Sequence, residues 1–341
     1  MSTASSTIEQ PIQDSITPDP IIQLAMGFMA SKHLFVANEI GLFRCLAAGS
    51  ATLDELAQRT NVPRRTLRIS ADAMVALGLV ERQGDRYQNG PVAAAFLSGQ
   101  GAADFYPLLR FWNRISYPLW CQLEAAIRSG QAPNRHDGGF SAEEQRIFSE
   151  GVEAFTLGPA AALVAGYDFS THRRVLDLGG GTGSILLHIL RQYAGLQGTL
   201  LELAGPVAVA RQRLAQEPES DRIAVVTGDF FKEPLPADHD AIIVANVLHL
   251  FLPEQNRLLL QNTRAAVKAG ARLLIVDFLT DPTHTQPVGA ALAAGEYLVI
   301  AGNGDVYSDA EVRGWLQETG WRPIESKPLG GPTSLLVAEA I

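Results

Sequence analysis

Apolar residues between Ile21 and about Leu46 (Leu24, Met26, Phe28, Met29, Leu34, Phe35, Ile40, Phe43) fall on more than one face of a helix. A surface helix shows a single apolar stripe, so this width implies burial on several sides, either within a small domain or at a subunit interface. Thr52 with Glu55 then forms a capping-box pattern that starts a helix. Asn61 and Pro63 suit the start of a second, with Leu67, Ala71, Met74 and Leu77 at helical spacing. Gly78-Leu79-Val80 leads into Glu81–Tyr87, a small hairpin turning at Gly84-Asp85. Two helices and a two-stranded wing predict a winged-helix unit.

Two aromatic-bearing helices follow, roughly Ala103–Ser129 and Ser141–Val164, the second opened by the capping pair Ser141 and Glu144; Gly130–Gly139 between them reads as a loop. Beyond a boundary near Phe169–His172 the pattern alternates between short apolar runs and helical stretches. Strands are expected near 173–178, 198–202, 222–227, 240–246 and 271–277. Two more, about 322–327 and 334–339, meet at the turn Gly330-Gly331-Pro332 and should pair antiparallel. The reading is an α/β protein with a seven-stranded, Rossmann-like sheet, mostly parallel with one reversed strand, and helices on both faces. The expected divisions are a disordered tail over 1–20, the winged-helix unit over 21–105, pocket helices over 106–170 and the sheet domain over 171–341.

At 341 residues the chain has room for two cores, and 47% hydrophobic residues suit a globular protein. A net charge of −9 disfavours nonspecific attraction to nucleic acid or anionic lipid. Arg64, Arg65 and Arg68 share one face of the second wing-unit helix, yet no basic stripe extends over the wing, so they read as a solvated face rather than a DNA reader. Cys45 and Cys121 lie in apolar helical surroundings and read as buried reduced thiols. The seven histidines show no metal-ligand spacing, so no metal is expected. The first 20 residues lack the basic start and apolar core of a signal peptide. Pro287–Gly302, broken by Glu296, is too short to span a bilayer. A cytoplasmic protein without membrane association is expected.

Val175-Leu-Asp-Leu-Gly-Gly-Gly-Thr-Gly-Ser184 is a strand, a glycine turn and a helix start. In an open parallel sheet ligands bind beyond the carboxyl ends of the strands, and the unusual polar residues collect there. Gly179, Gly181 and Gly183 follow the first strand and Glu202 closes the second. Asp229 and Phe230 follow the third, Asn246 and His249 the fourth, and Asp277 closes the fifth. A sulfonium nucleoside requires such groups: bare backbone N–H groups for its amino-acid end, a carboxylate (Glu202) for both ribose hydroxyls, Asp229 for the adenine amine, and Phe230 to cover the ring. Glu202 and Asp229 also suit a plainer job, satisfying loop N–H groups. A dinucleotide oxidoreductase fits less well, because the glycines are spaced G-x-G-x-G rather than G-x-G-x-x-G and Asp177 precedes them.

The order Val-Leu-Asp-Leu-Gly-Gly-Gly-Thr-Gly, Leu-Leu-Glu, Gly-Asp-Phe-Phe, Asn-Val-Leu-His resembles the S-adenosyl-L-methionine-dependent methyltransferases. More narrowly it is similar to the small-molecule O-methyltransferases of plant caffeate and chalcone type and their bacterial natural-product relatives. The resemblance spans essentially Ile21–Ile341 and implies an N-terminal dimerisation domain and a homodimer. It implies S-adenosyl-L-methionine as the methyl donor, bound by Asp177, Gly179, Gly181, Gly183, Glu202, Asp229, Phe230 and Asn246, with S-adenosyl-L-homocysteine as the product. It further implies His249 as the general base that deprotonates the acceptor hydroxyl and Asp277 as the carboxylate that orients it. A phenol has a pKa of about 10 and imidazole one of about 6.5, so a base in contact with the hydroxyl assists by roughly 10²–10⁴-fold. This chain departs from the family at three places: His249-Leu250-Phe251 stands where His-Asp-Trp is frequent, a second supporting carboxylate would fall near Val306, beside Asp305 and Asp309, and Ala245 replaces a frequent basic residue. Phe111, Trp112, Trp120, Phe155, Leu250 and Tyr297 are the candidate acceptor-pocket residues, favouring a flat aromatic or polyketide-like small molecule. Relatives that methylate nitrogen or carbon, or no longer transfer methyl, share the same fold.

Overall fold

The computed structural model describes residues 16–101, 103–131 and 140–341. Most of the expected tail, and most of the loop expected over 130–139, lie outside them. The chain divides into two compact units, Met1–Ala94 and Ala95–Ile341.

The first unit contains α1 (Asp19–Glu39), α2 (Leu42–Leu46), β1 (Ala51–Thr52), α3 (Leu53–Thr60), α4 (Arg64–Ala76), β2 (Val80–Gln83) and β3 (Arg86–Asn89); α5 (Pro91–Phe96) crosses the division. The apolar run expected from Ile21 is broken at Gly41, which adopts φ +74°. Among the described residues only its second half is covered. Phe35, Leu42, Phe43 and Leu46 are buried, whereas Ile21, Ile22, Leu24, Met26, Phe28 and Met29 are exposed. Thr52 and Glu55 form the capping box, and Leu67, Ala71 and Met74 of α4 are buried, with Leu77 left exposed. Asn61 ends α3 in a left-handed conformation instead of starting α4, whose N-cap is Pro63. The wing is a three-stranded antiparallel sheet in the order β1-β3-β2, one strand more than the expected hairpin because β1 adds to β3. Arg64 pairs with Asp54 and Arg68 with Asp72, while Arg65 is exposed.

The second unit opens with α6 (Tyr106–Phe111), a π turn (Trp112–Ser116), α7 (Tyr117–Trp120), α8 (Leu123–Ser129) and α9 (Ala142–Gly166). One helix was expected over 103–129. Pro107 and Pro118 restart the ladder near the beginnings of α6 and α7, because proline lacks the N–H that would continue it. Cys121 is exposed and Cys45 half-buried, contrary to the expectation of core thiols. By length and composition α1 and α9, unlike the shorter helix Val288–Ala301, are apolar enough to cross a membrane. α9 nevertheless buries Ile147, Ala154, Ala160 and Leu163 within this unit.

Next come β4 (Arg174–Leu178), α10 (Ser184–Gln192), β5 (Gln197–Glu202), α11 (Ala204–Leu214), β6 (Ile223–Thr227), β7 (Ala241–Ala245), α12 (Pro253–Ala265), β8 (Arg272–Phe278), α13 (Val288–Ala301), α14 (Asp309–Glu318), β9 (Trp321–Gly330) and β10 (Thr333–Ala340). The seven strands run in the order β6-β5-β4-β7-β8-β10-β9. The first five are mutually parallel, and β10 lies antiparallel to both neighbours. Each face is sealed by its own core: Leu163, Leu186, Leu190 and Leu214 with Val175, Ile243 and Leu335 on one side, and Leu259, Leu260, Trp315 and Leu316 with Leu176, Ile242 and Leu336 on the other. Strand order reverses at β4, which pairs β5 on one edge and β7 on the other, so the crevice for a ligand opens beyond the carboxyl end of β4.

Candidate active site

The chain leaving β4 turns through Gly179 at φ +67°, Gly181 at φ +58° and Gly183 at φ +82°, and α10 begins at Ser184. L-residues with a Cβ rarely hold this region, and nothing lies within 4 Å of where a Cβ on Gly181 would sit. Gly180 is required for a different reason: a Cβ there would stand 2.3 Å from Asp177 Oδ2. Asp177 is fully buried, and neither carboxylate oxygen has a hydrogen-bond partner among the described residues. Burial, reinforced by the nearby Glu202 charge, pushes its carboxyl up to about 7.

Glu202 closes β5 and reaches back to the loop. Its Oε1 accepts from Gly181 N–H at 3.1 Å and its Oε2 from Leu203 N–H at 2.7 Å. Burial raises its carboxyl above the usual range despite both N–H donors. An ionised carboxylate accepts about four hydrogen bonds, so each oxygen retains capacity for a ligand hydroxyl. Phe230 follows β6 with its ring edge 3.8 Å from the Cβ position of Gly179, and packs edge-on against Phe231 and Phe251. Asp229 accepts from Phe231 N–H at 2.9 Å and pairs with Lys232 at 2.9 Å. Burial pulls its carboxyl upward, and the Lys232 ammonium and Phe231 N–H outweigh it, so it lies below the ordinary value. Asn246, at φ +56°, is held through its N–H to Val276 O.

Beyond β7 the chain folds into a 3₁₀ turn, Leu248–Leu250. His249 Nδ1 lies 2.5 Å from Asp277 Oδ1. Asp277 also accepts from Phe278 N–H at 2.8 Å through Oδ1, and from Val247 and Leu248 N–H at 3.2 and 3.0 Å through Oδ2. The carboxylate only accepts, so Nδ1 carries the proton and Nε2 of a neutral ring presents its lone pair. Tyr297 stacks flat on the imidazole, with ring centroids 3.6 Å apart and planes inclined by 13°. Phe278 meets the imidazole edge-on at 6.0 Å, and Phe155 stacks on Phe278 at 5.8 Å. Sequence reasoning missed Phe278; its position one residue past Asp277 at a strand end was the available signal. Burial, with the charges of Asp277 and Glu296 nearby, drives the Tyr297 phenol far above its ordinary value, so it stays neutral.

The remaining pocket candidates divide. Leu250 is half-buried beside His249. Phe111 is a core residue packed against Gly151 of α9 and edge-on to Phe148 at 5.5 Å. Trp112 and Trp120 are half-buried against the same helical cluster. Trp120 lies over Gly295 and donates its indole N–H to Glu296 Oε2, which also accepts from Ser116 at 2.7 Å. Glu296 therefore interrupts an apolar run in order to tie α13 to the helices before it, and burial raises its carboxyl. The carboxylates near Val306 have other partners: that of Asp305 accepts from Val306 N–H and that of Asp309 pairs with Arg313, while Asp305 N–H donates to His249 O at 3.1 Å. Among the described residues no His, Cys, Asp or Glu cluster could hold a metal.

A glycine loop after β4, the Glu202 carboxylate closing β5 and the His249–Asp277 pair beyond β7 and β8 therefore lie along the carboxyl-end edge of one sheet. The chain matches the O-methyltransferase domain over residues 120–322 and the O-methyltransferase dimerisation domain over residues 22–99. It is 35% identical to 3-hydroxy-5-methyl-1-naphthoate 3-O-methyltransferase of Streptomyces sahachiroi, over 92% of both chains. It is 29% identical to the tetracenomycin polyketide synthesis 8-O-methyl transferase of Streptomyces glaucescens, over 94% of this chain and 96% of that one. The crystal structure of human N-acetylserotonin methyltransferase in complex with S-adenosylmethionine superimposes with a TM-score of 0.88 at 25% identity, covering 96% of this chain and 99% of that one. The protein belongs to the S-adenosylmethionine-dependent O-methyltransferases.

Proposed function

We propose that this enzyme methylates a hydroxyl of a flat aromatic or polyketide-like small molecule, with His249 as general base and Asp277 orienting it. The observation that carries the reading is the His249–Asp277 pair set among Tyr297, Phe278 and Phe155, an imidazole facing aromatic walls. The naphthoate and polyketide named for the relatives support an acceptor of that class.

The cradle residues fit the donor. Gly179, Gly181 and Gly183 give bare backbone, the unpartnered Asp177 carboxylate faces this loop, and Glu202 has acceptor capacity to spare beside Gly181. In the proposed assignment Glu202 receives the ribose hydroxyls, Asp229 the adenine amine, and Phe230 and Asn246 border the base. S-adenosylmethionine supplies, when bound, a methyl group on a sulfonium sulfur, an electrophile that needs no further activation. The chain's task is then alignment, exclusion of water and removal of one proton. Nε2 of His249 takes the acceptor proton as the oxygen becomes nucleophilic, and the four-fold bonded Asp277 carboxylate stabilises the imidazolium that results.

The exposed apolar half of α1 supports a homodimer, since Leu24, Met26, Phe28 and Met29 stay exposed among the described residues and belong to the dimerisation domain. A cytoplasmic enzyme without nucleic-acid or membrane partners completes the proposal. Mass spectrometry with a panel of hydroxynaphthoates and hydroxylated polyketide aromatics tests it: a gain of one methyl on oxygen supports the reading, and methylation of nitrogen or carbon alone overturns it.

A further inference from the structure

We propose that Arg213 and Glu153 form a positioning clamp, which sets the glycine loop for the methyl donor and ties that loop to the helix walling the acceptor site. The inference rests on reading the loop as the donor cradle.

Thr182 sits between Gly181 and Gly183, both left-handed, and bears the only side chain with a polar end from Gly179 to Gly183. That side chain is what the clamp grips. Arg213, near the end of α11, donates from one guanidinium nitrogen to Thr182 O at 3.1 Å, Thr182 Oγ1 at 2.9 Å and Ser184 Oγ at 2.8 Å. Its other terminal nitrogen lies 2.6 Å from Glu153 Oε1 on α9. Glu153 Oε2 in turn accepts from the Thr182 hydroxyl at 3.3 Å. The neighbouring Leu214 places its methyl groups 3.2 Å from the Cβ position of Gly183. Two helices distant in sequence therefore converge on one loop residue.

The location argues against an ordinary surface ion pair. A guanidinium beside the first turn of α10 stands at the positive end of the helix dipole, where a cation is unfavourable. Glu153 offsets that charge, and the gain from the arrangement is a fixed loop. Glycine-rich backbone loses more conformational freedom on ordering than any other, so an untethered loop would bind the donor at a larger entropic cost. Glu153 also lies two residues before Phe155, the ring stacked on Phe278 beside His249. At about 100° per residue the two side chains leave α9 in nearly opposite directions. One rigid helix thus touches the donor loop with Glu153 and the acceptor wall with Phe155. Ordering the loop orders the wall, and by linkage each ligand raises the affinity for the other.

The test uses the full-length protein and S-adenosylhomocysteine, measured by calorimetry, with hydrogen exchange followed over residues 142–166. Arg213→Ala, Glu153→Ala and Thr182→Val should each raise the Kd about tenfold, the double variant Arg213→Ala/Glu153→Ala no more than either alone, and Thr182→Ser should retain wild-type affinity. Melting temperatures should move little, because the partly exposed pair offsets the unfavourable placing of a cation at the α10 N-terminus. S-adenosylhomocysteine should slow exchange over 142–166 in the wild type and not in Glu153→Ala. An unchanged Kd in both Arg213→Ala and Thr182→Val overturns the clamp. Weakened binding with full ligand-induced protection of 142–166 in Glu153→Ala overturns the tie to the acceptor wall. Wild-type protein that does not bind S-adenosylhomocysteine overturns the cradle reading, and the clamp with it.

Discussion

His249 Nδ1 lies 2.5 Å from Asp277 Oδ1, and the same carboxylate takes three backbone N–H groups, so all of its acceptor positions are filled. An amide in its place would present an N–H toward one of these donors. Asp277→Asn should lower stability by about 1–3 kcal/mol, the cost of an unsatisfied buried donor, and also lower kcat, because His249 would lose its set tautomer. Urea titration checks the first effect and steady-state kinetics the second. Normal turnover would remove Asp277 from the mechanism.

Glu202 accepts from Gly181 and Leu203 N–H groups while retaining capacity for hydroxyls. Glu202→Ala should weaken S-adenosylhomocysteine binding by about tenfold or more, since hydrogen bonds to a charged acceptor contribute about 1.5–3 kcal/mol. An intact dissociation constant in calorimetry would refute its ribose role.

Asp177 gives stability a pH dependence of definite sign. Its carboxyl is raised from 3.8 to about 7 in the folded chain, so the native state holds the proton more tightly than the unfolded state. The resulting stabilisation is complete below the unfolded value and is lost as pH rises through the folded one. Urea midpoints measured from pH 4 to pH 8 should therefore fall less steeply for Asp177→Asn than for wild type. Parallel curves would show that Asp177 does not titrate in this window.

Phe28 and Leu24 are exposed on α1, within the span of the dimerisation domain. Phe28→Asp should convert a dimer to monomer in size-exclusion chromatography with light scattering, by burying an unpaired charge at the interface. A wild-type monomer, or a variant that stays dimeric, would place the contact elsewhere.

The seven strands were legible because a doubly covered parallel sheet demands continuous apolar runs, which β7 and β8 supply in Ala241–Ala245 and Leu273–Val276, and β4 supplies save for Asp177. The placing of the polar residues at strand ends was legible for the same topological reason. The break of 103–129 into short helices was signalled by Pro107 and Pro118 but outweighed by the helical spacing of aromatic residues. Contacts between distant elements left no local pattern: Arg213 and Glu153 are ordinary helix charges until α9 and α11 fold onto Thr182, and Tyr297 meets His249 only when α13 packs over the 3₁₀ turn. Glu296, which looked like an interruption of an apolar stretch, is an acceptor for Trp120 and Ser116.

The most direct measurement is single-turnover methyl transfer by His249→Ala beside calorimetry with S-adenosylhomocysteine. Loss of the base should slow transfer by roughly 10²–10⁴-fold while the dissociation constant stays at its wild-type value. Transfer at the wild-type rate would contradict the account, leaving alignment without proton removal as the source of catalysis.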